Sequence, residues 1–205
     1  MQMLSQMRPA LVLLAVMTVL TGFAYPLTIT GAAQALFPNQ ANGSLLAQGG
    51  TVIGSALLGQ SFARPEYFHG RPSAVGYDAA SSGATNLAPT SKALVEAVAS
   101  RTRAMAAESG TVRIPVDLVT SSGSGLDPDI SPESAYLQVR RIATARGLAN
   151  ADVHRLVDRL AQRPLFGIFG APAVNVLGLN LALDEKAPVT GKGMGPTNGA
   201  GTDQR

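Results

Sequence analysis

Pro-Ala-Leu-Val-Leu-Leu-Ala-Val-Met-Thr-Val-Leu-Thr-Gly-Phe-Ala-Tyr-Pro-Leu-Thr-Ile-Thr-Gly, residues 9–31, continues to Phe37 without a charged side chain. At about 1.5 Å of rise per residue, a helix over this run exceeds the roughly 30 Å of hydrocarbon that about 20 apolar residues cross. Residues 9–37 therefore read as a transmembrane helix with an extension. The rest of the 205-residue chain divides around it: 1–8 as a cytoplasmic N-terminus, 38–185 as an extracytoplasmic domain, and 186–205, rich in Gly, Pro and Thr, as a disordered tail.

Orientation follows from the flanks. Arg8 precedes the run and the next charge is Arg64, so the positive-inside bias places the N-terminus in the cytoplasm. A cleaved signal peptide is the competing reading, with Gly22-Phe23-Ala24 as a small-x-small site. The apolar character runs on to Phe37, past the roughly 7 to 15 residues of a signal core, and this favours an anchor. Thr18 with Gly22, Thr28 with Ala32 and Gly31 with Ala35 make small-xxx-small pairs that admit a close neighbouring helix, although such residues are also common in membrane helices. Pro26 removes one backbone donor and is expected to kink the helix between the pairs.

Composition excludes several classes. Lys+Arg 16 against Asp+Glu 13 are dispersed, with no basic run for nucleic acid. The absence of cysteine excludes disulfides and thiolate chemistry.

Past the helix, residues 39–50 read as a loop and Thr51–Leu58 as a strand interrupted by Gly54. Residues 64–74 concentrate aromatics, charges and prolines, which predicts an ordered element with Phe62, Tyr67 and Phe68 turned inward. A helix is expected after a hydroxyl cap in 89–91, with Val95, Val98, Thr102, Met105 and Ala106 on one face and Gly110 as its stop. Val112–Thr120 has the β-branched density of a strand, at an edge because of Pro115. Ser131-Pro132-Glu133 opens a helix with face Ala135, Val139, Ile142 and Ala143, ended by Gly147. Asn150 caps another with Val153, Leu156, Val157 and Leu160 at i, i+3, i+4, i+7. The Asn and Leu alternation of 172–183 suggests a final strand. The fold expected is an α/β (α+β-like) domain, a small sheet with about three packed helices, behind one membrane helix.

Catalytic constellations are missing. His69 and His154 are the only histidines, without thiols or ligand spacing, so no metal site is expected. There is no G-x-S-x-G elbow and no Walker lysine motif. Ser121–Gly125 could form an amide nest for an anion or simply connect two elements.

Four blocks in order carry a family resemblance: Gly59-Gln60-x-Phe62 with Tyr67-Phe68-x-x-Arg71-Pro72-Ser73-Ala74; Asp117 through Ser124-Gly125-Leu126-Asp127-Pro128; Gln138-Val139-x-Arg141 through Arg146-Gly147-Leu148; and Val174-Asn175-Val176-Leu177 through Leu183-Asp184. Together they resemble the C subunit family of the Kdp-type potassium-transporting ATPase, from the membrane helix to Asp184. Asp129 stands where the resemblance leads one to expect His in many relatives.

The resemblance implies a bacterial-type inner-membrane complex with a potassium-channel-like subunit, a P-type ATPase subunit and a small helical subunit, in which this chain has no catalytic residue. It marks Gln60, Phe62, Tyr67, Phe68, Arg71, Pro72, Ser73, Asp117, Ser124, Gly125, Asp127 and Asn175 as interface or structural positions. It also implies a nucleotide-related glutamine, for which Gln138 is the nearest position, with ATP reaching the chain through the ATPase subunit. That implication conflicts with an extracytoplasmic domain. Three functions are thus in play: an assembly and stabilising subunit, a chaperone raising the ATPase subunit's affinity for ATP, and an independent anchored envelope hydrolase using the serine-rich loop.

Overall fold

A computed structural model describes residues 2–164 and 166–188, with side chains from residue 6 onward. The chain separates into two compact units, 1–45 and 46–205.

The first unit is helical. α1 (Gln2–Val19) passes through a π-helical turn (Leu20–Ala24) into α2 (Tyr25–Leu36). Pro26 is the physical cause of the turn, because it offers no N–H and its ring crowds the carbonyl four residues back. The helix widens instead of breaking, and the Tyr25 N–H donates to the Leu20 carbonyl five residues earlier. Thr21 and Thr28 donate their hydroxyls to the Met17 and Ala24 carbonyls, both at 2.7 Å, which satisfies those groups without water. Gln6–Leu36 is the one helix among the described residues long and apolar enough to cross a membrane, and the chain buries none of it. α3 (Pro38–Ala41) follows, where Gln34 and Asn42 exchange two amide hydrogen bonds of 3.2 Å.

The second unit begins within a hairpin of β1 (Leu45–Gln48) and β2 (Thr51–Ser55). Gly49 and Gly50, at φ 58° and 82°, supply the left-handed pair that a two-residue hairpin turn needs. The expected loop over 39–50 thus contains α3 and β1, because two adjacent glycines make a turn and free the flanking apolar residues to pair.

α4 (Lys92–Ser109) ends at Gly110 as expected, yet Ser91 makes no side-chain cap and Val95 is 60 % exposed. The expected strand over 112–120 does not form. Val112–Ile114 run as unpaired chain and Val116–Leu118 form a 3₁₀ turn, since Pro115 lacks a donor and no neighbouring strand is offered.

β3 (Asp129–Ile130) leads into α5 (Pro132–Arg146), where the Ser131 hydroxyl accepts from the Ser134 N–H at 3.1 Å. α6 (Asn150–Leu160) begins at Asn150 itself, with Ala149 in the cap position and no side-chain cap.

The expected final strand is overturned. β4 takes only Val174–Asn175, antiparallel to β3 with Asp129 opposite Asn175 and Ile130 opposite Val174. α7 (Val176–Lys186) occupies the rest. Asn175 makes the switch by accepting from the Gly178 N–H at 2.9 Å, and Val176, Leu179, Asn180 and Leu183 then share a buried face at i, i+3, i+4, i+7. Among its described residues the domain therefore has four long helices and two separate two-stranded sheets, an α+β-like arrangement. The expected tail from 186 loses Lys186 to α7, and 189–205 lie outside the described residues.

The core lies between α5, α6 and α7, with Ile142, Val157, Leu179, Leu183 and Val174 fully enclosed. Phe68, at 0 % exposure, comes from no helix or strand. How a loop residue reaches the centre of the core is the main structural feature of the domain.

Candidate functional site

Residues 64–67 form a turn, the Tyr67 N–H donating to the Arg64 carbonyl at 3.2 Å, and Phe68 and His69 leave it held by side chains instead of a strand. Asn180 of α7, fully buried, donates to the Phe68 carbonyl (3.0 Å) and accepts from its N–H (2.8 Å). Gln138 of α5 treats His69 in the same way, at 3.1 and 2.8 Å. Two consecutive residues thus have both backbone groups paired by amides that reproduce a strand's hydrogen bonds, which allows burial without an orphaned backbone group.

Arginines complete the clamp. Arg141 donates to the Tyr67 carbonyl (2.9 Å) and to Gln138 Oε1 (2.7 Å) and pairs with Glu108 (2.6 Å). Arg146 donates to the carbonyls of Glu66 (2.7 Å) and Ala187 (2.8 Å) and to Asp184 (2.8 Å), while lying 4.8 Å above the Tyr67 ring. The Tyr67 hydroxyl donates to Asp184 at 3.0 Å. Phe62 packs against the core and meets the Tyr67 ring at 5.8 Å. Burial, with Arg141 nearby, pushes the His69 imidazole below its ordinary range, and its Nε2–H donates to the Arg64 carbonyl at 3.1 Å.

The second constellation joins loop 71–77 to loop 121–127. Arg71 pairs with Asp127 (2.9 Å), the Pro72 carbonyl accepts from the Ser122 N–H (3.1 Å), and the Ser73 hydroxyl donates to the Gly125 carbonyl (2.7 Å). Gly125, at φ 69°, has no room for a side chain: a Cβ there would stand 2.8 Å from the Gly83 carbonyl oxygen and 2.6 Å from Val75. A Cβ on Gly59 would meet the Asp127 carbonyl oxygen at 2.4 Å, while the Gly59 N–H donates to Leu126. Gln60 donates to the Ile53 carbonyl at 2.9 Å. The Tyr77 phenol is pushed up to about 12, first by burial and then by Asp127.

Carboxylates finish the edges of this region. Asp117 accepts from the Ser131 N–H (2.8 Å) and the Ser134 hydroxyl (2.6 Å), and Asp127 accepts from the Asp129 N–H (3.1 Å). The outer edge of β3 is thereby closed by side chains. Asn175 also donates to the Ala56 carbonyl (2.9 Å) and to Asp129 (3.1 Å). A cleft of about 1180 Å³ lies beside this edge, walled by residues 111–117 and 171–173, with Arg71, Asp129 and Glu133 on its rim.

Burial and then Asp127 raise the Asp129 carboxyl above its ordinary range, outweighing the opposing bond from Asn175. For an acid with a raised folded value, the protonated form is favoured in the fold. Its contribution is present below the unfolded value of 3.8 and is lost as pH rises through the folded value. Asp129→Asn keeps an oxygen for Asn175 and removes the charge. Relative to the parent it should gain up to about 0.5 kcal/mol at pH 7, a figure discounted for solvent screening, and nothing at pH 3. Denaturant midpoints at the two pH values check this, and an equal gain at both would refute the burial cause.

Among the described residues no histidine hydrogen-bonds to the serine loop. Ser124 Oγ accepts from the Leu126 N–H at 3.0 Å, and neither histidine bonds to it: His69 is held by Arg64, and His154 stacks on Tyr136 (4.2 Å) and meets Asp158 (3.3 Å). Among the described residues no group of three acidic or imidazole side chains is placed to hold a metal. Thr18, Gly22, Thr28, Gly31 and Ala32 lie along the exposed N-terminal helix, where a Cβ at Gly22 or Gly31 would meet nothing within 4 Å. Sequence reasoning missed Asn180 and Tyr77 as organising residues. A polar residue at i+4 in an otherwise apolar helical face was the available signal for Asn180.

The motif blocks thus fall on contacts that hold the domain together. Residues 7–185 match the family described as KdpC: K+-transporting ATPase, c chain. The Potassium-transporting ATPase KdpC subunit of Caulobacter vibrioides is 56 % identical over 189 residues, covering 91 % of this chain and 96 % of its own. That of Sorangium cellulosum is 58 % identical over 187 residues, covering 89 % and 98 %, and that of Rhodopseudomonas palustris 52 % over 200 residues, covering 91 % and 100 %. With the family matched over residues 7–185, the chain belongs to the KdpC family, the c chain of the K+-transporting ATPase.

Proposed function

We propose that this chain is a non-catalytic subunit of an ATP-driven potassium transport complex in a bacterial-type inner membrane, needed to assemble and stabilise the channel-like and P-type ATPase subunits. The single observation that carries the non-catalytic reading is Gln138. It is 5 % exposed and its amide bonds His69 N and O, Ser134 O and Arg141, so its hydrogen-bonding groups are occupied within the domain. A nucleotide could reach it only by opening the clamp. ATP in this reading belongs to the ATPase subunit.

The N-terminal helix supplies the attachment, with Arg8 holding the N-terminus in the cytoplasm and the domain outside. Gly22 faces open space, so a larger residue there leaves the chain's own packing untouched. Gly22→Leu should keep membrane insertion and the folded domain while copurification of the other subunits falls about ten-fold, the loss of roughly 1.4 kcal/mol of helix contact. Undiminished copurification would return the helix to a plain anchor. Normal assembly and transport by the other subunits after deletion of the whole chain would overturn the assembly role.

A further inference from the structure

Residues 162–164 and 166–173 form a finger with a closed neck and an apolar tip. Gln162 and Ala173 exchange backbone hydrogen bonds at 2.8 and 3.2 Å, and the Gly167 N–H donates to the Pro164 carbonyl at 3.0 Å. At the tip, Phe166, Ile168 and Phe169 are 83 %, 78 % and 67 % exposed. Added Cβ atoms at Gly167 and Gly170 would meet nothing within 4 Å, so the tip stands clear of the domain. Arg163 marks the neck, and no charge follows until Asp184. Scattered exposed apolar residues are ordinary, whereas three large ones on one ordered protrusion, two of them aromatic, form a patch that water disfavours.

We propose that this tip enters the headgroup and upper acyl region of the membrane that holds the N-terminal helix, with Arg163 staying at the lipid surface. The inference rests on the reading that the helix spans that membrane. Three side chains present roughly 400 Å² of apolar surface, well below the roughly 800 Å² per partner of a stable protein interface. The same area suits a surface that is always present: the nine residues 37–45 span at most about 30 Å, so the bilayer stays at high effective concentration. A convex tip with aromatic rings and a cationic neck has the chemistry of the interface, rings at the acyl boundary and guanidinium at the phosphates.

The chain contains no tryptophan, so Phe166→Trp gives a single reporter, and Phe169→Trp a second should the positive φ of 53° at Phe166 disfavour the first. The full-length protein is reconstituted into palmitoyl-oleoyl phosphatidylcholine vesicles with or without dibrominated phosphatidylcholine, alongside a Val95→Trp control on the outward face of α4. Emission from either finger reporter should shift to the blue and fall about two-fold with bromolipid, as expected of a ring at the acyl boundary, while the α4 control stays unquenched. Equal quenching of the α4 control, or none at the finger, would overturn the proposal. Finger reporters that are unquenched in vesicles but lose acrylamide access in the copurified complex would assign the tip to a protein partner and overturn it too. Flotation after a carbonate wash separates the two readings, since a chain that does not float refutes the anchor itself.

Discussion

Replacing Gln138 by Ala is expected to destabilise the domain by about 3 kcal/mol in the absence of any nucleotide. The loss has a definite source: the N–H and carbonyl of His69 would be left unpaired beside the core, and Arg141 would lose an acceptor at 2.7 Å. Each orphaned buried group costs about 1–3 kcal/mol. Gln138→Met separates this from cavity formation, because Met refills the space without supplying partners and should cost nearly as much. Hydrogen exchange reads the outcome locally: the His69 amide should exchange about 100-fold faster, the factor that about 2.7 kcal/mol implies. If both variants kept parental protection, Gln138 would be dispensable to the fold, and the nucleotide-related role would become the better account.

The clamp also explains which parts of the fold were legible in the sequence. α5 was readable because its signals are local: Ser131 caps, Pro132 starts, Glu133 lies in the first turn and Gly147 stops in the left-handed conformation. α7 was not, since its Asn and Leu spacing satisfies a period of two as well as 3.6, and only the cap that Asn175 gives Gly178 selects the helix. Val112–Ile114 has strand composition but no partner, and a strand is a property of pairs. Phe62, Tyr67 and Phe68 declared themselves as an apolar cluster in a polar segment. What holds them did not, because Asn180 lies 112 residues from Phe68 and Gln138 lies 69 from His69.

Arg146→Met should cost more than the glutamine substitution, about 4 kcal/mol, because it strands a charge as well as polar groups. The Arg146 side chain is 2 % exposed and that of Asp184 12 %. Without the guanidinium, Asp184 would keep, among the described residues, only the Tyr67 hydroxyl at 3.0 Å, and the carbonyls of Glu66 and Ala187 would lose their donor. The Tyr67 phenol, already raised by burial and by Asp184, would lose the lowering influence of Arg146 and rise further. Adding Asp184→Asn tests the cause. If the stranded carboxylate dominates, the double variant should recover about 2 kcal/mol of the loss in urea denaturation, since no uncompensated charge remains. Additive losses would place the cost instead in the two orphaned carbonyls and the missing cation above Tyr67. In either case the 64–69 segment would loosen first, seen as faster exchange at Phe68 and His69 than in α6. α6 shares the core with α5 and α7 but, among the described residues, has no hydrogen bond to this clamp.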